Sequence, residues 1–226
     1  MISLKNIKFW IFDLDNTLYS STTNIFSKID KKMCQFIIDE LRVDESEALK
    51  IKNKYFHEHG TTLNGLMKKH NINAERFLEF VHDIDYSFLN KNEKLNYELK
   101  KLPGSKIIFT NGSKKHAETT ILKLGINDNF SGIFDIVDSD YIPKPDIAPY
   151  KKLISKYRIN CSESIFFEDI ARNLLPAHQL GIKTAWIEND DKYCKEGFDG
   201  YHVDFRVKNL TKFLEDINKK VAWLQK

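Results

Sequence analysis

The sequence predicts an α/β fold: a parallel, Rossmann-like sheet flanked by helices, with an all-helical cap inserted after the first strand. Three observations predict it. From Lys106 onward, short apolar runs alternate with helix-period segments, the pattern of parallel strands joined by right-handed crossovers. A matching apolar run, Phe9 to Asp13, stands alone near the N-terminus. Between the two, from Thr23 to about Leu99, helical spacing persists without a strand pattern. The expected division is a core of residues 1–19 and 99–226 around a cap of residues 20–98.

Each element has its own signal. Phe9 to Asp13 is aromatic and branched, as suits a strand covered on both faces, and it ends on a carboxylate. Tyr19 to Thr23 is a polar linker. Ile25, Ile29, Met33, Phe36, Ile37 and Leu41 fall at helical spacing and predict one amphipathic helix. Asp44 followed by Glu47 is a capping pattern for the next, which Gly60 ends. Thr61-Thr62 and Asn73 cap two shorter helices, one carrying Leu63, Leu66 and Met67, the other Phe77, Phe80 and Val81. Pro103-Gly104 then turns the chain into a strand over Ile107 to Phe109. A helix from Lys114 to Leu124 stops at Gly125. Ile133 to Val137 predicts a short strand, and Asp146 caps a helix through Tyr157. Ser164 to Phe167 is a strand ending at Glu168-Asp169. The following helix tolerates Pro176 only in its first turn and closes at Gly181. Ile182 to Ile187 and Tyr201 to Phe205 predict two last strands, and Leu210 to Leu224 an amphipathic helix.

Composition narrows the function classes. The 226 residues carry 35 basic and 32 acidic side chains, interspersed, for a net charge of +3. No basic stripe with interleaved aromatics speaks for a polymeric nucleic acid, and no apolar run is long enough for a membrane span. Cys34, Cys161 and Cys194 match no metal spacing, and a sparse, odd set suits reduced thiols. With no export signal at the N-terminus, the expectation is a soluble, cytoplasmic protein.

The chemistry-bearing residues gather at one edge. Ligands of such sheets sit beyond the carboxyl ends of the strands. Asp13, Thr110 and Glu168-Asp169 each terminate an apolar strand, and Lys144, between Pro143 and Pro145, follows another. Taken singly, each has a plain alternative. Asp13 and Asp15 suit a polar strand end, Thr110-Asn111-Gly112 the start of a helix, Lys144 a solvated loop, and Glu168-Asp169 a helix N-terminus. Their shared edge favours a site. Asp13 and Asp169, with Glu168, offer magnesium its preferred oxygen ligands. Asp13 is then a nucleophile and Asp15 an acid/base beside it. Thr110 and the amides of Asn111 and Gly112 suit phosphoryl oxygens, and Lys144 the remaining charge.

Phe12-Asp13-Leu14-Asp15-Asn16-Thr17-Leu18, Ile108 to Gly112, Pro143-Lys144-Pro145 and Phe166 to Asn173 resemble the four ordered motifs of the haloacid dehalogenase-like hydrolase superfamily. The resemblance implies a nucleophilic Asp13, an acid/base Asp15, and phosphate and nucleophile partners in Thr110 and Lys144. It implies magnesium held by Asp13, the Asp15 backbone carbonyl, Asp169 and, where aspartate is more frequent, Glu168. The superfamily's haloacid dehalogenases lack the second aspartate, so Asp15 directs the expectation to phosphoryl transfer. Tyr55, Gly60 to Leu63, Gly65 to Met67 and Val81 to Tyr86 further resemble the pyrimidine 5′-nucleotidase family. That resemblance implies UMP or CMP as the small phosphorylated substrate, with Thr61 and Thr62 as substrate contacts or as plain helix caps. A sugar-phosphate phosphatase or phosphomutase is the alternative within the superfamily, and a binding module that kept the fold is the non-enzymatic one. His57, His59, His70 and His82 show no clustered acid partner and are expected in surface or structural roles.

Overall fold

The computed structural model describes Leu4 and residues 6–223. In chain order the elements are β1 (Phe9–Phe12), α1 (Ile25–Leu41), α2 (Glu45–His59), α3 (Thr62–His70), α4 (Ala74–His82), α5 (Glu93–Lys101), β2 (Ser105–Phe109), α6 (Lys114–Leu124), β3 (Gly132–Phe134), α7 (Ile147–Tyr157), β4 (Ser164–Glu168), α8 (Leu174–Gln179), β5 (Lys183–Ile187), β6 (Phe205–Val207) and α9 (Leu210–Trp223). Leu224, the expected end of the last helix, lies outside the described residues.

The strands form one parallel sheet in the order β3-β2-β1-β4-β5-β6. Alternate side chains of each strand enter opposite layers, as a sheet covered on both faces requires. Trp10, Phe12, Ile108, Ile165 and Phe167 belong to the layer shared with the cap and α9. Ile11, Ile107, Phe109, Phe166 and Trp186 belong to the layer under α7 and α8. The Phe12 and Phe167 rings stack across neighbouring strands at 4.9 Å. Register sets Phe12 opposite both Ile108 and Phe167, so the residues just beyond these three strands emerge side by side. The strand order reverses between β1 and β4, where open α/β sheets leave a crevice.

In the cap, Asp44, Thr61 and Asn73 each accept a hydrogen bond from the amide three residues on, at 2.8, 3.2 and 2.8 Å. Each satisfies an otherwise unpaired donor at a helix start. Phe36 of α1 packs edge-on against Phe77 of α4 at 5.1 Å. Gly65 lets α3 approach α2, since a methyl there would meet the Tyr55 Cβ at 2.3 Å.

Three details differ from expectation. β3 stops at Phe134, not Val137, because the Asp135 carboxylate accepts from the amides of Val137, Asp138 and Lys114 and turns the chain. β6 spans Phe205–Val207 rather than starting at Tyr201. Its approach is tied to β5 by side chains instead of a ladder: the Thr184 hydroxyl donates to His202 O, and the Thr184 amide to Asp204. Finally, α5 sits with the core. Asn218 of α9 donates to the Glu98 carbonyl and carboxylate at 3.0 and 2.7 Å, and the Asn92 amide to Leu124 O at 2.9 Å. We therefore propose that the chain returns from cap to core between α4 and α5, ahead of residue 99. Among the described residues no helix is long and apolar enough to cross a membrane.

Candidate active site

Asp13 follows β1, and its amide continues the ladder by donating to Phe167 O at 2.9 Å. Its carboxylate is buried and held by Lys144, whose ammonium donates to Asp13 Oδ1 at 2.7 Å, Glu168 Oε2 at 2.6 Å and Phe109 O at 3.0 Å. All three ammonium donors are therefore used. Burial would lower the Lys144 pKa, but the two carboxylates outweigh it and raise it. The loop bearing Lys144 is fixed by Asn111, whose side chain accepts from the Lys144 amide at 2.9 Å and donates to its carbonyl at 3.4 Å.

Asp13, Glu168 and Asp169 bring carboxylate oxygens within 4.8 Å of one another, all buried. One ammonium among three carboxylates leaves an excess of negative charge, which is costly in a low-dielectric site. Burial and the Glu168 charge raise Asp13 to about 7, and burial, Glu168 and Asp13 raise Asp169 well above the usual carboxylate range. An all-oxygen donor set with surplus negative charge fits a hard divalent cation such as magnesium. Asp169 is oriented by Asn189, which donates to Oδ2 at 2.8 Å.

Asp15 has opposite surroundings. Burial would raise its pKa, but His116, Tyr19 and His82 together hold it below the usual value. The His116 Nε2 donates to Asp15 Oδ1 at 2.8 Å, and the Tyr19 hydroxyl donates to the same oxygen. His116 stands on the buried face of α6 with Ala117, Thr120 and Ile121. The sequence reading missed it; the one available signal was an imidazole on an apolar helix face. His82, expected on the surface or in a structural role, lines the site and stacks on His116 at 4.4 Å. Burial and the neighbouring His116 push the His82 pKa down to about 3.

The remaining candidates adjoin the same cavity of about 470 Å³ between cap and core. Thr110 is buried, and its hydroxyl accepts from the Gly112 amide at 2.9 Å. That amide is thus turned inward to the loop. Thr61 and Thr62 line the cavity, but their hydroxyls are engaged, Thr61 as the α3 cap and Thr62 donating to Lys52 O at 3.1 Å. Gly60, at φ +81°, brings the cap against the core: a methyl there would meet the Lys144 carbonyl at 3.0 Å.

The chain belongs to the haloacid dehalogenase-like hydrolase family, which it matches over residues 10–187. It is 32% identical over 232 residues to Phosphate metabolism protein 8 of Saccharomyces cerevisiae, spanning 93% of this chain and 70% of that one. It is 23% identical over 233 residues to a Glyceraldehyde 3-phosphate phosphatase of Methanocaldococcus jannaschii, spanning 92% of this chain and 96% of the relative. Among solved structures, a HAD phosphatase from Thermococcus onnurineus superposes with a TM-score of 0.60 at 18% identity, covering 93% of this chain and 98% of that one, a likeness of fold.

Removing the single ammonium should expose the charge imbalance directly. Lys144→Ala should cost about 3–5 kcal/mol in metal-free protein, as loss of one partner from a buried ion pair does. Urea unfolding measures this; a loss below about 1 kcal/mol would mean that the carboxylates are neutralised without Lys144.

Proposed function

We propose that the chain is a magnesium-dependent phosphomonoesterase working through an aspartyl-phosphate on Asp13, with pyrimidine nucleoside 5′-monophosphates such as UMP and CMP as preferred substrates. The observation that carries the hydrolytic reading is the pair of carboxylates two residues apart in opposite surroundings. Asp13 is buried with Lys144 on Oδ1 and two further carboxylates, and Asp15 lies at the cavity with one oxygen held by His116 and Tyr19. Both carboxylates line one cavity, so a nucleophile tethered at one oxygen stands beside an acid/base held at one oxygen, the juxtaposition that covalent catalysis with proton transfer needs.

Lys144 fixes one oxygen of Asp13, and the other attacks phosphorus. The bond to the ester oxygen breaks, and that oxygen leaves with a proton from Asp15. Asp15, now ionised, takes a proton from water as it attacks the phosphoryl group, which frees phosphate and restores Asp13. The magnesium ion, held by Asp13, Asp169, the Asp15 carbonyl and Glu168, would supply positive charge to the phosphoryl oxygens. Thr110, Asn111 and Lys144 line the same cavity, where Thr110 and the Asn111 amide would receive those oxygens and Lys144 would offset their charge.

The archaeal relative is named a phosphatase of glyceraldehyde 3-phosphate and the yeast relative a phosphate metabolism protein, and these names support a small phosphorylated metabolite as substrate. The pyrimidine reading rests on the resemblance of the cap segments. A cavity of about 470 Å³ suits a metabolite-sized leaving group. Thr61 accepts from the Asn64 amide and keeps its own proton, so its hydroxyl is the side-chain donor that loop can offer a base, whereas the Thr62 proton is given to Lys52 O. The second reading, a sugar-phosphate phosphatase, is favoured by the relative named for glyceraldehyde 3-phosphate. The intact acidic set speaks against a non-catalytic module. A cytoplasmic location fits three unpaired cysteines.

Asp13→Asn should fold and lose at least about a thousandfold in kcat, and excess chelator should abolish wild-type activity until magnesium is restored. Retention of more than about a tenth of turnover, equivalent to only ~1.4 kcal/mol in barrier, would contradict the role of Asp13.

UMP and CMP should exceed AMP, GMP and glucose 6-phosphate in kcat/KM by about tenfold or more, since a fitted pocket rejects an oversized group sterically. Flat rates across bases, or the highest rate on a sugar phosphate, would replace the nucleotidase reading with the sugar-phosphate one.

A further inference from the structure

We propose that His116 is a positioning residue for Asp15: it fastens Oδ1 of that carboxylate and so assigns Oδ2 as the oxygen that carries the proton. The inference rests on the acid/base reading of Asp15 and adds to it which atom acts and what holds it. Both hydrogen bonds to the carboxylate, from His116 Nε2 at 2.8 Å and from the Tyr19 hydroxyl, fall on Oδ1. Among the described residues no hydrogen bond reaches Oδ2. Asp15 lines the cavity. An oxygen that already accepts two hydrogen bonds has no free lone pair for a proton, so the proton resides on the other. Without such donors the two oxygens would exchange by rotation and present the proton in either direction.

His116 is itself clamped. It is fully buried, and with Nε2 donating to Asp15 its Nδ1 accepts the Tyr86 hydroxyl proton at 2.8 Å, while the same hydroxyl oxygen lies 3.1 Å from His82 O. The His82 ring lies parallel to the His116 ring, 1° from coplanar orientation and 4.4 Å away. His82 Nδ1 bonds the Ser113 hydroxyl at 2.9 Å, which in turn accepts from the His116 amide at 3.3 Å. The imidazole is thus fixed at both nitrogens and on one face. His82 ends α4 and Tyr86 follows it, so the trailing end of the cap supplies half of the clamp while α6 of the core supplies the histidine. The carboxylate is aligned only when these two parts are docked.

Leaving-group dependence separates positioning from mere packing. A series of substituted phenyl phosphates keeps shape nearly constant while varying how much the departing oxygen needs a proton. Release of the phenol in a single turnover, with saturating magnesium, should be measured for wild type, Asp15→Asn, His116→Ala, His116→Gln and Tyr86→Phe. His116→Ala should slow phenyl phosphate about tenfold or more and p-nitrophenyl phosphate less than about threefold, with little change in KM. His116→Gln, whose amide can donate to the same oxygen, should recover at least about threefold of the loss. Tyr86→Phe should show the same leaving-group trend, smaller in size. If His116→Ala does not fold, the ratio for Tyr86→Phe decides alone. An equal loss across the series, or no rescue by glutamine, would overturn the proposal while a steep dependence in Asp15→Asn left the acid/base reading standing. A flat series in Asp15→Asn would remove that reading, and the positioning role with it.

Discussion

The structure depends on negative charge buried at the end of its central strand. Asp13, Glu168 and Asp169 converge within 4.8 Å, and among the described residues Lys144 is the one ammonium bonded to them. Such an arrangement is tolerable only if every neighbour is fixed. The sheet register sets the ends of β1, β2 and β4 abreast, and Asn111 braces the lysine loop from the β2 side. Phe109 and Phe166 flank the ammonium at 5.0 and 5.4 Å from their ring centroids, which excludes water and strengthens the pairing. The fold and the charge cluster therefore specify each other: the strands bring the groups together, and the cluster demands that the strands keep register.

Two residues along, the chain builds a different environment. The turn after β1, with Asn16 at φ +58°, carries Asp15 away from the sheet to His116 and Tyr19. The first carboxylate is surrounded by like charge and pushed up, the second by donors and pushed down. The cap brings His82 to the second environment and meets the first at the lysine loop, through Gly60 against the Lys144 carbonyl. In the proposed function the core motifs would handle the phosphoryl group, and the joint between cap and core the proton.

Much of this was legible in the sequence because apolar runs and strand-end polar residues are local signals. Apolar runs at Phe9 to Asp13, Ile107 to Phe109 and Ser164 to Phe167 mark three strands, bounded in the structure at Phe9–Phe12, Ser105–Phe109 and Ser164–Glu168; Asp13, Thr110, Glu168 and Asp169 stand at their ends, and Lys144 lies in the loop after β3. Caps at Asp44, Thr61 and Asn73 were equally plain. What was missed needs contacts distant in sequence. His116 meets Asp15 across 101 positions, and Asn189 meets Asp169 from the loop after β5. β3 ends early because a side chain, Asp135, outcompetes the ladder for local amides, and hydropathy does not register that competition. The affiliation of α5 was hidden for the same reason: an amphipathic helix reads alike whether its apolar face meets the cap or α9.

The central claim is that phosphate passes through a covalent bond to Asp13. Rapid acid quench during turnover of a phosphomonoester, followed by peptide mapping by mass spectrometry, tests it most directly. The account predicts an acid-stable, base-labile phosphoryl group on the peptide containing Asp13 and assigned to that residue, absent in Asp13→Asn. A phosphoryl group on another side chain would contradict it and move the nucleophile there, and the absence of both a phospho-enzyme and a burst of alcohol release would leave direct attack by water in its place.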